Sequence, residues 1–167
     1  LARADVQRLR AESCAIVTGI GTVLADDPAL NVRDDAFEMR GRQPRRIVID
    51  RALRTPVTAR MLGLAGTTHV FCAPAALARA APLTAAGAEV EALPVGDDAT
   101  VLVGLLNRLG VLEVNELLVE AGPTLAAAFL TGGHVDELIL YIAPKLLGRD
   151  ARSALAVPSP AELADAC

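Results

Sequence analysis

Apolar residues along this chain gather in short runs, and between the runs they recur at the three-to-four spacing of a helix. Six runs predict strands: Ala15–Thr18, Arg46–Asp50, Thr68–Ala73, Ala88–Leu93, Glu116–Glu120 and Asp136–Ala143. Most are apolar throughout, the pattern of central strands covered on both faces. Helical spacing predicts helices near Ala2–Glu12, Ala75–Ala86, Ala99–Leu109 and Pro123–Leu130. Connections are short except Ala25–Pro44, which carries Asp26, Asp27, Arg33, Asp34, Asp35, Arg40 and Arg42. A polar loop of that length in a compact domain is either functional or disordered. The alternation of strands and helices predicts an α/β class with a mostly parallel sheet and flanking helices.

Composition narrows this picture. The 167 residues, 53% apolar and 22% charged, suffice for the core of one ordinary domain. The longest uncharged stretch, Ala121–Gly133, is too short to cross a bilayer and contains Gly122 and Pro123, so no membrane association is expected. No leader precedes the first helix, and Cys14, Cys72 and Cys167 lie too far apart for a metal knuckle or redox pair. Reduced thiols in a cytoplasmic protein fit that spacing. A net charge of −4 and only four aromatics, Phe37, Phe71, Phe129 and Tyr141, argue against nucleic acid as a partner. His69 and His134 stand far apart and read as surface residues, so no metal site is expected.

Two strand-to-helix junctions carry candidate chemistry. In TGIGTVLADDPALNVR (Thr18–Arg33), Gly19 and Gly21 let the backbone turn and approach a ligand without a Cβ in the way. In LLVEAGPTLAAAFL, the strand ends at Glu120, Gly122 turns, and Pro123 occupies the first helical position. The free amides of Thr124 and Leu125 at such a helix start attract phosphate. Either motif alone is commonly just a turn. Together, at the carboxyl ends of strands in an open α/β sheet, they can face one crevice. Arg10 shares a helical face with Arg3 and Gln7, which on pattern alone reads as solvated. Asp26 on pattern alone reads equally as a turn residue before Asp27–Pro28.

TGIGTVLADDPALNVR, RRIVID, VEAGPTLAAAFL and VDELILYIAPKLLG, in this order and spacing, resemble the reductase domain of the riboflavin-biosynthesis bifunctional deaminase-reductase, from about Ala2 to Arg152. The resemblance implies a dihydrofolate-reductase-like fold with a mixed, mostly parallel sheet. It further implies NADPH-dependent reduction of the ribose of 5-amino-6-(5-phosphoribosylamino)uracil to a ribityl chain. By motif position, Thr22 and Asp26 line the NADPH site, and Gly122, Pro123, Thr124, Leu125, Ala126, Ala127 and Ala128 receive the cofactor's phosphates. Arg10, Leu30, Arg33 and Glu120 match positions that contact the phosphorylated pyrimidine substrate. No residue is assigned as proton donor or nucleophile.

By the same resemblance the chain, residues 1–167, is a partial reductase domain. It begins inside a helix, without the family's first strand, ends before the last strands, and lacks the zinc deaminase domain to which the full-length protein is fused. The mean hydropathy of +0.41 and the apolar Asp136–Ala143 run point to a homodimer. Arg51 and Arg54, in IDRALRTP, are placed to meet the 2′-phosphate that distinguishes NADPH from NADH. Two alternatives stand beside this reading: a non-catalytic nucleotide-binding module, and a dihydrofolate-reductase-like enzyme with another substrate.

Overall fold

In the computed structural model, which describes residues 2–151 and 153–157, five of the six apolar runs form strands. The order is α1 (Ala2–Glu12), β1 (Ala15–Gly19), α2 (Ile20–Asp26), β2 (Arg45–Ile49), β3 (Thr68–Cys72), α3 (Ala81–Ala85), β4 (Ala88–Ala92), α4 (Asp98–Val111), β5 (Leu117–Val119) and α5 (Pro123–Thr131). Short 3₁₀ turns at Arg60–Gly63 and Pro74–Arg79 complete it. All five strands are parallel, in the spatial order β4-β3-β2-β1-β5. Chain order therefore steps outward from β1 to β4 and then returns to the far side of β1.

Both faces of the sheet are covered, which is why its inner strands carry apolar runs, whereas the edge strand β4 alternates with Glu89 and Glu91. On one face Ala15, Val17, Ile47 and Phe71 pack with Val101, Leu102, Leu105 and Leu109 of α4 and Phe129 of α5. On the other, Ile16, Val48 and Val70 pack with Val23 of α2, Leu30, Met61 and Leu83. Full burial of each such side chain contributes roughly 1.5–3 kcal/mol before entropy is counted. Helix α4 starts where Asp97 accepts from the Thr100 amide (2.9 Å), an N-cap that fixes its first turn.

Four expectations change. The stretch read as loop from Ala25 begins inside α2, a helix of seven residues with a glycine at position 21. Its propensity is weak, and burial of Val23 (2% exposed) holds it in place. The expected helix Ala75–Ala86 divides into the 3₁₀ turn Pro74–Arg79 and α3, because Pro82 has no amide to continue a helical ladder and is tolerated only in a first turn. The expected strand Asp136–Ala143 pairs with no strand among the described residues. An apolar run becomes a strand only where a neighbouring edge completes its ladder, and here Leu138, Leu140 and Ile142 stay exposed while Tyr141 Oη donates to Asp5 Oδ2 (2.7 Å). Cys14 and Cys72 are free thiols, whereas Cys167 lies outside the described residues.

The fourth change is His69, which is fully buried in β3 rather than on the surface; His134 is half-buried. Arg45 Nη1 lies 3.4 Å from His69 Nε2. A guanidinium can only donate, so Nε2 accepts and the proton sits on Nδ1, facing Glu89 Oε2 at 3.4 Å and Glu91 Oε1 at 4.0 Å. Arg108 grips Glu91 with two bonds of 2.6 and 2.9 Å. His69, Glu89 and Glu91 bring ligand-type atoms within 4.8 Å of one another. Two arginines already balance the two carboxylates, and Nδ1 has no hydrogen-bond partner among the described residues, so the group is an ion-pair cluster rather than a cation cage.

Burial, aided by Arg45 and Arg108 and opposed by Glu89 and Glu91, holds the His69 imidazole below its ordinary 6.5. The folded state thus resists a proton that the unfolded chain accepts. Stability from this source is complete above pH 6.5 and is lost as pH falls below it. Thermal melts of His69→Gln are expected to depend less on pH below 6.5 than those of the parent; equal slopes would remove His69 as the cause.

Candidate functional site

At the carboxyl ends of β1 and β5 the two glycine junctions meet. They form the walls of one open crevice of about 650 Å³, lined by Gly19, Gly21, Thr22, Ala25 and Asp26 on one side and Val119–Leu125 on the other. The junctions touch: a Cβ on Gly122 would lie 3.9 Å from Thr22 Oγ1, and one on Gly19 would lie 3.6 Å from Leu125 Cδ2. This is where the strand order reverses around β1, the position at which open α/β sheets present ligand crevices.

Each wall follows from local sequence. Gly19 ends β1 in extended conformation and serves as the N-cap of α2 without a side-chain bond. Asp27 closes α2 in the left-handed region (φ 39°), its amide bonded to Val23 O (3.1 Å) and its Oδ1 accepting from the Arg60 amide (2.8 Å). Asp27 is therefore the turn former and Asp26, exposed beside it, is the carboxylate of this wall on the crevice. On the second wall Gly122 is N-cap to α5, also without a side-chain cap, and Pro123 is the first helical residue. The first intrahelical bond is Ala126 N to Gly122 O (3.1 Å), so the amides of Thr124 and Leu125 have no helical partner and a phosphate would satisfy them. Later amides are bonded within the helix. Ala126 instead lines a second hollow on the outer side of β5, and Ala127 is buried (4% exposed) while Ala128 packs against the core. Of the expected stretch Gly122–Ala128, only Gly122–Leu125 lines the crevice.

Glu120, at the end of β5, lines the crevice and also takes Arg10 in a two-point ion pair, both bonds 2.6 Å. Arg10 is buried (8% exposed), so the solvated-face reading of α1 fails: Arg10 and Gln7 point inward. The remaining Arg10 donor reaches Asn31 O at 3.0 Å. Leu30, Arg10 and Arg33 do not line the crevice itself. Leu30 is a core side chain (2% exposed) at φ 43°, a backbone state costing on the order of 1 kcal/mol outside glycine, so only its backbone is left for a ligand. Arg33 is exposed, with no ion pair among the described residues. Sequence reasoning missed Gln7 and Gln43, which bond the backbone of Arg33 and of Val32 respectively. Nothing in their local pattern marks them, because their partners lie far along the chain.

Arg51 pairs with Asp98 (2.5 Å) in an exposed contact, and Asp50, fully buried, ties the loop by accepting from the Thr55 amide (2.7 Å) and hydroxyl (2.8 Å). Arg54 on the same loop is exposed.

The RibD C-terminal domain family model matches residues 1–162. The riboflavin biosynthesis protein RibD of Escherichia coli (strain K12) is 45% identical over 174 residues, which cover 99% of this chain and 46% of that protein. A Methanothermobacter thermautotrophicus protein named 2,5-diamino-6-ribosylamino-4(3H)-pyrimidinone 5′-phosphate reductase is 40% identical over 163 residues, covering 96% of this chain and 74% of its own. The solved structure of Acinetobacter baumannii RibD superposes with a TM-score of 0.82 at 35% identity, over 99% of this chain and 44% of that one. The chain spans about half the length of the curated RibD relatives it matches.

Proposed function

This chain belongs to the RibD C-terminal domain family, and on that premise we propose that it uses NADPH to reduce the ribosyl group of 5-amino-6-(5-phosphoribosylamino)uracil to a ribityl chain in riboflavin biosynthesis. The observation that carries the proposal is the single crevice joining Thr22 and Asp26 to the open helix start at Gly122–Leu125. When bound, NADPH supplies the hydride. The chain's own residues position and orient: the Thr124 and Leu125 amides take the dinucleotide's phosphates, Thr22 and Asp26 face its polar groups, and Arg33 meets the substrate phosphate. Arg10 and Glu120, paired with each other at the end of β5, contact the substrate. Arg54, or Arg51 released from Asp98, meets the 2′-phosphate.

The full-length protein is a cytoplasmic homodimer in which this domain is joined to a zinc deaminase. Half-length coverage of the RibD relatives supports the fusion, and the exposed Leu138, Leu140 and Ile142 support a second copy. A second reading takes the undeaminated 2,5-diamino pyrimidinone as substrate, favoured by the extent of the match to the Methanothermobacter relative. The test is consumption of NADPH or NADH by the full-length protein with each ribotide. Oxidation of NADPH that depends on the deaminated substrate is expected; none with either ribotide would end the proposal.

The two ends of Thr18–Arg33 are expected to fail differently. Arg33→Ala removes a charge-assisted contact worth roughly 1.5–3 kcal/mol, so substrate affinity falls about tenfold to a hundredfold with NADPH affinity near the parent's. Asp26→Ala, on the crevice wall, weakens NADPH more than substrate. Titrations in which both variants weaken both ligands alike would contradict this division.

A further inference from the structure

Between α2 and β2 the chain runs through residues 28–33 without regular structure, and yet it holds a fixed path. Four successive backbone groups there are held by side chains from elsewhere. Arg10 donates to Asn31 O (3.0 Å). The Gln43 carboxamide makes a reciprocal pair with Val32, its Oε1 accepting from the Val32 amide (2.9 Å) and its Nε2 donating to Val32 O (3.0 Å). Gln7 Oε1 then accepts from the Arg33 amide (2.8 Å). One side-chain amide thus stands in for the peptide unit of a neighbouring strand.

The anchors are themselves fixed. Gln7 is buried (8% exposed) on the inner face of α1, one turn from Arg10. Gln43 is wedged at its stem: Gly66, at φ 96°, approaches so closely that a Cβ there would come within 2.9 Å of the Gln43 Cβ. Arg46 in turn holds the Gly66 carbonyl at 2.5 Å. The only charged side chain of Asn31–Arg33, the segment so clamped, is Arg33, exposed and with no ion pair among the described residues. The clamp fixes the backbone from which that guanidinium extends, and Arg10 ties the same segment to Glu120 on the crevice wall.

We infer that Gln7 and Gln43 are positioning residues that hold Arg33 in place for the anionic end of the substrate. The inference rests on the reductase reading above. Its test uses the full-length protein with Gln43→Met and Gln7→Met, each alone and combined with Arg33→Ala. The readouts are substrate KM, kcat, NADPH affinity and thermal stability. Because a misplaced contact residue loses productive binding, KM in Gln43→Met is expected to rise by about tenfold, and in Gln7→Met by less, with kcat and NADPH affinity within about twofold of the parent. On the Arg33→Ala background the same changes are expected to add little, since the group being positioned is gone. Unchanged KM with a lowered melting temperature, or an effect that adds in full to Arg33→Ala, would overturn the inference. If Gln43→Met does not fold, Gln7→Met, which removes one bond, decides; failure of both to fold makes the clamp a folding element and overturns it as well. A parent protein that turns over no ribotide would instead sink the reading beneath.

Discussion

Gly122→Val is expected to abolish dinucleotide binding while leaving the protein folded. The Gly122 backbone lies at φ −69° and ψ 170°, extended geometry open to any residue and not the positive φ that would forbid a side chain. A Cβ there meets only Thr22 Oγ1, at 3.9 Å, so the fold has room for it. That room is the crevice. The branched methyls of valine would stand between Thr22 and the Thr124 and Leu125 amides, where a phosphate has to approach. Loss of those backbone contacts should weaken NADPH by about a hundredfold or more, roughly 3 kcal/mol. Calorimetric titration beside a thermal melt checks it: a folded valine variant with parental affinity would reduce the second junction to a connection.

The second large effect concerns stability. Glu120→Ala removes both oxygens that face Arg10 and leaves a guanidinium 8% exposed with the Asn31 carbonyl as its remaining bond. An uncompensated buried charge is costly. Because the Glu120 side chain is 24% exposed and water can reach the vacated space, the loss should be about 2–4 kcal/mol, near the lower part of the range for buried pairs. The double variant Arg10→Met with Glu120→Ala should recover most of that loss, since no stranded charge is left. It should not recover substrate binding if the pair also serves the ligand. Denaturant titrations of the parent and the two variants test the first point, and a double variant no more stable than Glu120→Ala would show that the pair is not what holds α1 to β5.

The two large-effect positions were not equally legible. Gly122 and Pro123 carry a local signal, a turn residue and then a residue suited to a helix start, and that signal placed the start of α5 at Pro123 and the end of β5 one residue late, at Glu120 instead of Val119. The central strands β1, β2 and β3 were equally plain, because burial on both faces leaves a short apolar run in each, AIV, IVI and VFC. Helix α2 was hidden by its glycine and its shortness, since its stability comes from Val23 meeting the sheet and not from propensity. Residues 136–143 misled in the opposite sense, an apolar run whose ladder partner is not among the described residues. Arg10 was the instructive failure. A helix carrying Arg3, Gln7 and Arg10 on one side looks solvated until Glu120, more than a hundred positions away, is known to face it. The motifs marked the two junctions that line the crevice, whereas the contacts of Gln7, Gln43 and Arg10 behind it are long-range pairings that no local window contains.

The central place of β1 has a kinetic consequence. The crevice exists only once Val17 has paired with Val119, and the outward run through β2, β3 and β4 lies between those two partners. Closing so long a loop is entropically slow, and a pairing of that separation tends to be completed late. A ligand that needs both walls then has nothing to bind before the rate-limiting barrier is crossed. Its binding energy falls on the exit from the native state and not on the approach to it. Cofactor should therefore lengthen the lifetime of the folded chain, slowing the unfolding limb of a chevron while the folding limb stays where it was.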